Sequence, residues 1–143
     1  MKVRDIMTAG VECIQPTGTL REAARMMKDL NVGPLPVCGD NDRLVGMITD
    51  RDIVIRAVAE GDDPDATPVS SVMTPKILCC YEDQDISEAA RLMEKHQVRR
   101  LAILNRDKRL VGIVSLGDLA VDSRDEQLAG HTLEAISEPV HVH

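Results

Sequence analysis

Short apolar runs and amphipathic stretches alternate along the chain in an order that recurs. Val11 to Ile14 reads as a first strand, followed by a break containing Pro16 and Gly18. Leu20, Ala23, Ala24, Met27 and Leu30 fall at helical spacing and mark one face, with Thr19 and Glu22 placed as a capping box at its start. Leu35 to Cys38 and Leu44 to Ile48 are predicted strands. Gly39-Asp40-Asn41-Asp42 between them is rich in turn formers and makes the pair a hairpin. Thr49 then opens a second helix that runs to about Ala59 and is stopped by Gly61.

The order then returns: a strand over Ile77 to Cys80, a helix from Asp85, a strand from Leu101 to Leu104, the turn Asn105-Arg106-Asp107-Lys108, a strand from Leu110 to Val114, and a helix from Ser115. Residues 11–54 overlie 77–120 at an offset of 66 without a gap. Cys13 meets Cys79, Glu22-Ala23-Ala24-Arg25 meets Glu88-Ala89-Ala90-Arg91, and Arg43-Leu44-Val45-Gly46 meets Arg109-Leu110-Val111-Gly112. Ahead of the copies, Met7-Thr8 falls on Met73-Thr74. The class is therefore α/β (α+β), two βαββα repeats over 1–64 and 65–122 with a tail over 123–143. Such a duplication implies similar halves about an approximate two-fold, with paired sites at their junction. Residues 61–70, rich in Asp and Pro, read as the linker. In the tail, Leu128, Leu133 and Ile136 suggest a short helix.

At 143 residues the chain suits one compact domain, whereas halves of this size are marginal alone and are expected to pack together. A net charge of −7 argues against nucleic acid as partner, since phosphate contacts need clustered Lys and Arg. Phe and Trp are absent and Tyr81 is the single aromatic, which excludes base-stacking platforms. Any nucleobase must sit between aliphatic side chains and backbone. The chain has no apolar run long enough for a transmembrane helix, and its N-terminus meets charge at once. The expectation is a cytoplasmic protein whose cysteines, 13, 38, 79 and 80, rest as thiols.

Chemistry enters at the end of each hairpin, where Gly46-Met47-Ile48-Thr49-Asp50-Arg51-Asp52 and Gly112-Ile113-Val114-Ser115-Leu116-Gly117-Asp118 share one pattern. The hydroxyl falls at a helix N-cap and the acid three residues later. Unpaired N–H groups and the positive dipole end favour phosphate there, and the hydroxyl can donate to it. A carboxylate in the first turn can accept from two ribose hydroxyls. The same string is also close to a capping box, which needs no ligand. The glycine before the strand, the repeated spacing and the strand–helix placement favour a ribose-phosphate grip.

These residues resemble CBS domains. The resemblance rests on Asp5-Ile6-Met7-Thr8, the Glu-Ala-Ala-Arg-x-Met helices, His96-Gln97-Val98-Arg99-Arg100-Leu101, and Arg-Leu-Val-Gly before each hydroxyl-x-x-Asp. It covers roughly residues 3–121, so the whole chain is similar to one CBS pair, or Bateman module. The resemblance implies two mixed-sheet halves about a pseudo-two-fold and two clefts for adenosyl compounds such as AMP, ADP, ATP, NAD(H) or S-adenosylmethionine. It implies Thr49 and Ser115 on phosphate and Asp52 and Asp118 on ribose. It further implies a homodimer that regulates another protein rather than an enzyme, with no resident cofactor and no metal. No Ser-His-Asp, Cys-His or HExxH arrangement points to catalysis.

The copies differ usefully. Arg51 corresponds to Gly117, and Gly33-Pro34 to Arg99-Arg100, so Arg51, Arg99 and Arg100 are candidate phosphate clamps. The adjacent basic pair favours the cleft of Ser115 and Asp118, with Thr74, Ile77 and Val98 expected around the base. Cys13 and Cys38, on neighbouring strands, are either a redox-formed bridge or two buried thiols used as small apolar residues. A redox-responsive or ligand-free interaction protein is the alternative reading. Cys79-Cys80 matches no metal or redox spacing.

Overall fold

The computed structural model describes residues 1–75 and 78–122. Its elements in chain order are β1 (Thr8–Ala9), α1 (Leu20–Leu30), β2 (Leu35–Cys38), β3 (Leu44–Ile48), α2 (Asp50–Ile53), β4 (Cys79–Tyr81), α3 (Ile86–His96), β5 (Arg100–Leu104), β6 (Leu110–Ser115) and α4 (Leu116–Asp122). They form two compact units, Glu12–Ile77 and Met1–Val11 with the chain from Leu78 on. We call them the first-repeat and second-repeat units.

In the second-repeat unit the sheet order is β1-β6-β5-β4. The β1–β6 and β6–β5 pairs are antiparallel and β5–β4 is parallel. Helix α3 lays Ile86, Ala89, Ala90 and Met93 on this sheet, against Leu101, Ile103, Val114 and Leu119. Val3 and Ile6 from the start of the chain complete the core. The first-repeat unit repeats the plan with less sheet. β2 and β3 pair antiparallel, and Ile14, Leu20, Ala23, Met27, Leu35, Val37, Ile48 and Val69 form the core.

The two long helices are closed alike because their sequences are alike. Thr19 accepts from the Glu22 N–H at 3.2 Å, and Asp85 accepts from the Ser87 N–H at 3.1 Å. Each ends on a residue of positive φ, Asn31 at 54° and Gln97 at 52°. In both, the next N–H turns back, from Val32 to Met27 O at 3.0 Å and from Val98 to Met93 O at 3.1 Å.

One expectation needs correction and two gain detail. The strand over Val11 to Ile14 contracts to one bridge, Ile14 with Val37. Pro36 accepts from Ile14 but has no N–H to return, whereas its counterpart Ala102 pairs within the longer β4–β5 ladder. The second helix is α-helical only over Asp50–Ile53 and then widens to π geometry over Val54–Val58. The linker over residues 61–70 is packed: Leu20 N–H donates to Thr67 O, Arg21 pairs with Asp65, and Val69 is fully buried. The suggested helix around Leu128, Leu133 and Ile136 lies outside the described residues.

Each compact unit takes in a segment from outside its own repeat. Each repeat is completed by the segment leading into the other. Met7-Thr8 lies against β6, with Thr8 opposite Ile113 and Ala9 opposite Gly112. Met73-Thr74 lies against β3, where Met47 and Thr74 exchange N–H···O bonds of 3.0 and 2.8 Å. Glycine is needed at both contacts. A Cβ at Gly112 would lie 2.7 Å from Thr8 O, and one at Gly46 would lie 2.9 Å from Thr74 O.

Candidate functional site

Both hydroxyl–carboxylate pairs stand where a strand turns directly into a helix. In the first-repeat unit Thr49 N–H donates to Asp52 Oδ2 at 3.0 Å, and Asp52 N–H donates to Thr49 Oγ1 at 3.0 Å. In the second, Ser115 N–H donates to Asp118 Oδ2 at 2.8 Å, and Asp118 N–H donates to Ser115 Oγ at 3.1 Å. Each pair is a closed capping box, and all four residues are half-buried. Capping and ligand binding are compatible in these groups. The hydroxyl accepts an N–H and keeps its own proton to donate, while each carboxylate commits one oxygen and presents the other. The cap fixes the rotamers of both side chains.

The surroundings of the two grips differ. In the second-repeat unit, Arg100 stands opposite Ser115 in the β5–β6 ladder, and Leu116 N–H donates to Arg99 O at 2.8 Å. Both arginines are exposed beside the grip. In the first, the equivalent bond runs from Asp50 N–H to Gly33 O at 3.3 Å, so Asp50 replaces Leu116 and Gly33 replaces Arg99. Asp50 crowds Gly33 closely enough that a Cβ there would meet Asp50 Oδ1 at 3.0 Å. Arg51 is exposed on α2.

Val98 is half-buried against the second-repeat core, in the unit that holds Ser115, Asp118, Arg99 and Arg100. Thr74 is bound by its bridge with Met47 into the other unit, the one that holds Thr49 and Asp52. The residue in its register within the second-repeat unit is Thr8, which sequence reasoning did not single out. Ile77 lies outside the described residues. Arg56 was also missed. Its Nη1 donates to Val72 O at 3.1 Å, and its Nε lies 3.9 Å from Asp52 Oδ1. The signal for it was the acid-to-base spacing of four from Asp52.

The thiols divide by setting. Burial first, and then the nearby Cys13 thiol, push the Cys38 thiol up from its ordinary range. Burial pushes Cys80 to about 11 and raises Cys79 as well, which leaves both as poor nucleophiles. Among the described residues no group of three or more His, Cys, Asp or Glu could hold a metal ion.

Comparison with known proteins agrees with this architecture. The CBS domain model matches residues 3–58 and 69–122. CBS domain-containing protein YhcV of Bacillus subtilis is 44% identical over 135 residues, 94% of each chain. Hypoxic response protein 1 of Mycobacterium tuberculosis is 45% identical over 117 residues, 82% of this chain and 81% of that one. A crystal structure of Hypoxic Response Protein I, with two coordinated zinc ions, superposes with a TM-score of 0.76 at 44% identity, covering 84% of this chain and 97% of that chain. CBSX2 in complex with AMP superposes with a TM-score of 0.73 at 26% identity, covering 85% and 95%. With both repeats matched and near-full-length relatives at this identity, the chain belongs to the CBS domain family.

Proposed function

We propose that this chain is a regulatory module that senses adenine nucleotides. It binds an AMP-, ATP- or NAD(H)-type ligand at its hydroxyl–carboxylate grips and modulates a separate, unidentified protein. The observation that carries the reading is the recurrence of one grip in both units, Thr49 with Asp52 and Ser115 with Asp118, closed by hydrogen bonds of 2.8–3.1 Å. The AMP in the similar CBSX2 structure supports an adenosyl ligand. In this reading the hydroxyls donate to phosphate, the aspartates accept from ribose hydroxyls, and Arg99 and Arg100 clamp phosphate oxygens. The role is regulatory and not catalytic, and no resident cofactor or metal takes part. The test is calorimetry of AMP, ATP, NADH and S-adenosylmethionine against the wild type, Asp52→Ala and Asp118→Ala. One ligand should bind and its heat should be lost in a grip variant. Absence of heat from all four, with the chain folded, would reduce the grips to helix caps.

The working form in this reading is a cytoplasmic homodimer. Among the described residues no helix is long and apolar enough to cross a membrane. Val54, Ile55 and Val58 are 57, 46 and 61% exposed on the π-helical turn, an apolar surface that a second copy would cover. Sedimentation should give twice the chain mass, and a monomer at all concentrations would refute it.

One observation favours a second reading, in which the chain responds to redox state. The bridge between Ile14 and Val37 brings the neighbouring Cys13 and Cys38 together, and Cys38 N–H donates to Ile14 O at 3.0 Å. With a low-molecular-weight disulfide as oxidant, the two thiols lose two protons and two electrons, the new S–S bond forms, and the oxidant leaves as two thiols. Incubation with glutathione disulfide, followed by unfolding and alkylation, should leave Cys13 and Cys38 unmodified. Alkylation of both would remove this reading.

A further inference from the structure

The two grips are built from the same parts, yet among the described residues only the Asp52 carboxylate shares its outer oxygen with a cation. Asp52 Oδ2 accepts from the Thr49 N–H, and its Oδ1 lies 3.9 Å from Arg56 Nε. Arg56 is anchored there. Its Nη1 donates to Val72 O at 3.1 Å, which ties the guanidinium between the helix and the segment carrying Met73-Thr74. The Asp52 side chain is only 15% exposed, so the pair is partly shielded from solvent screening.

Among the described residues of the second-repeat unit, Asp118 has no such ion pair. The residue in register with Arg56 is Asp122, and Asp118 Oδ2 is capped in the same way as Asp52. The neighbouring position differs in the same sense, with the acid Asp50 in the first unit and the apolar Leu116 in the second. A ribose diol binds a carboxylate by donating two O–H bonds, and their strength follows the charge density left on the accepting oxygens. Arg56 withdraws that density from Asp52, and Asp50 repels any phosphate that accompanies the ribose.

We infer that Arg56 is a specificity-determining residue: it occupies Asp52 electrostatically, weakens the first grip for phosphate-bearing adenosyl ligands, and leaves Ser115–Asp118 as the high-affinity grip. The inference rests on the adenine-nucleotide reading above and adds to it which of the two grips responds first.

The test isolates each grip and then removes the cation. Asp118→Asn leaves the first grip and Asp52→Asn leaves the second, with the amide oxygen still able to accept the capping N–H in each. Titrated with AMP, Asp118→Asn should bind about tenfold more weakly than Asp52→Asn. Adding Arg56→Gln, which keeps a donor for Val72 O but carries no charge, should tighten the first grip by about fivefold and leave the second unchanged. Arg56→Leu should do the same if circular dichroism shows it folded. A first grip as tight as the second, or one that Arg56→Gln leaves unchanged or weakens, overturns the role of Arg56. No AMP binding by the wild type overturns the nucleotide reading itself, so the two failures are distinct.

Discussion

Gly112→Ala should destabilise the chain by about 2 kcal/mol, and Gly46→Ala by a similar amount. The added methyl at 112 would stand 2.7 Å from Thr8 O and 2.8 Å from Met7 Sδ. At 46 it would stand 2.9 Å from Thr74 O and 2.7 Å from Met73 Sδ. A methionine can swing aside, but the carbonyls cannot, because each belongs to a segment held in place by backbone pairing to the strand that bears the glycine. The leading segment must lift off β6 or β3, and it carries buried groups with it, Val3 and Ile6 in one unit and Val69 and Val72 in the other. Alanine recovers about 0.5–1 kcal/mol by restricting the unfolded chain, which offsets only part of this cost. Urea midpoints measure the outcome. Gly39→Ala is the control, since its methyl would meet only Val45 Cγ1 at an ordinary 3.7 Å. If Gly112→Ala proved as stable as Gly39→Ala, the close approach of β1 to β6 would not hold.

These glycines also mark where sequence reasoning stops. The repeat, the two long helices, the hairpins and both hydroxyl–carboxylate caps were legible because each is written locally, as periodicity, turn residues or a fixed spacing. The exchange of leading segments is not local. Thr8 meets Ile113 and Thr74 meets Met47, and nothing in Met7-Thr8 or Met73-Thr74 says which strand it will join. Its only trace is glycine at 46 and 112, which a strand interior otherwise disfavours. The same exchange explains why Thr74, expected with Ser115 and Asp118, is held in the unit of Thr49, while Thr8 takes the corresponding place on β6. The missing first strand is a different failure. The apolar run Val11 to Ile14 is real, but Pro36 on its neighbour cannot return a hydrogen bond.

Asp118→Asn and Asp118→Ala should separate the two roles that this residue combines. As the third residue after the cap, its carboxylate accepts the Ser115 N–H at 2.8 Å and supports the start of α4. Alanine removes that bond and the favourable charge at the helix start, for a cost of about 1 kcal/mol. Asparagine keeps an acceptor and should cost only a few tenths of that. For the ligand the order changes, because both variants lose the charge that strengthens the hydrogen bonds from the ribose hydroxyls. Charge-assisted bonds contribute about 1.5–3 kcal/mol each, so losing the charge should weaken AMP binding by about tenfold or more in either variant. Thermal melting with and without AMP reads both effects at once. At a concentration of about one hundred times Kd the wild type gains roughly 2.7 kcal/mol. For a chain of this length that is a rise of roughly 8 °C. Asp118→Asn should melt near the unliganded wild type and lose about half of that rise or more, whereas Asp118→Ala should melt lower and show the same loss. An Asp118→Asn protein that kept the full rise would make Asp118 a helix cap alone and move ligand recognition away from Ser115–Asp118. Loss of stability and of binding in strict proportion across both variants would likewise deny the carboxylate any role beyond holding α4.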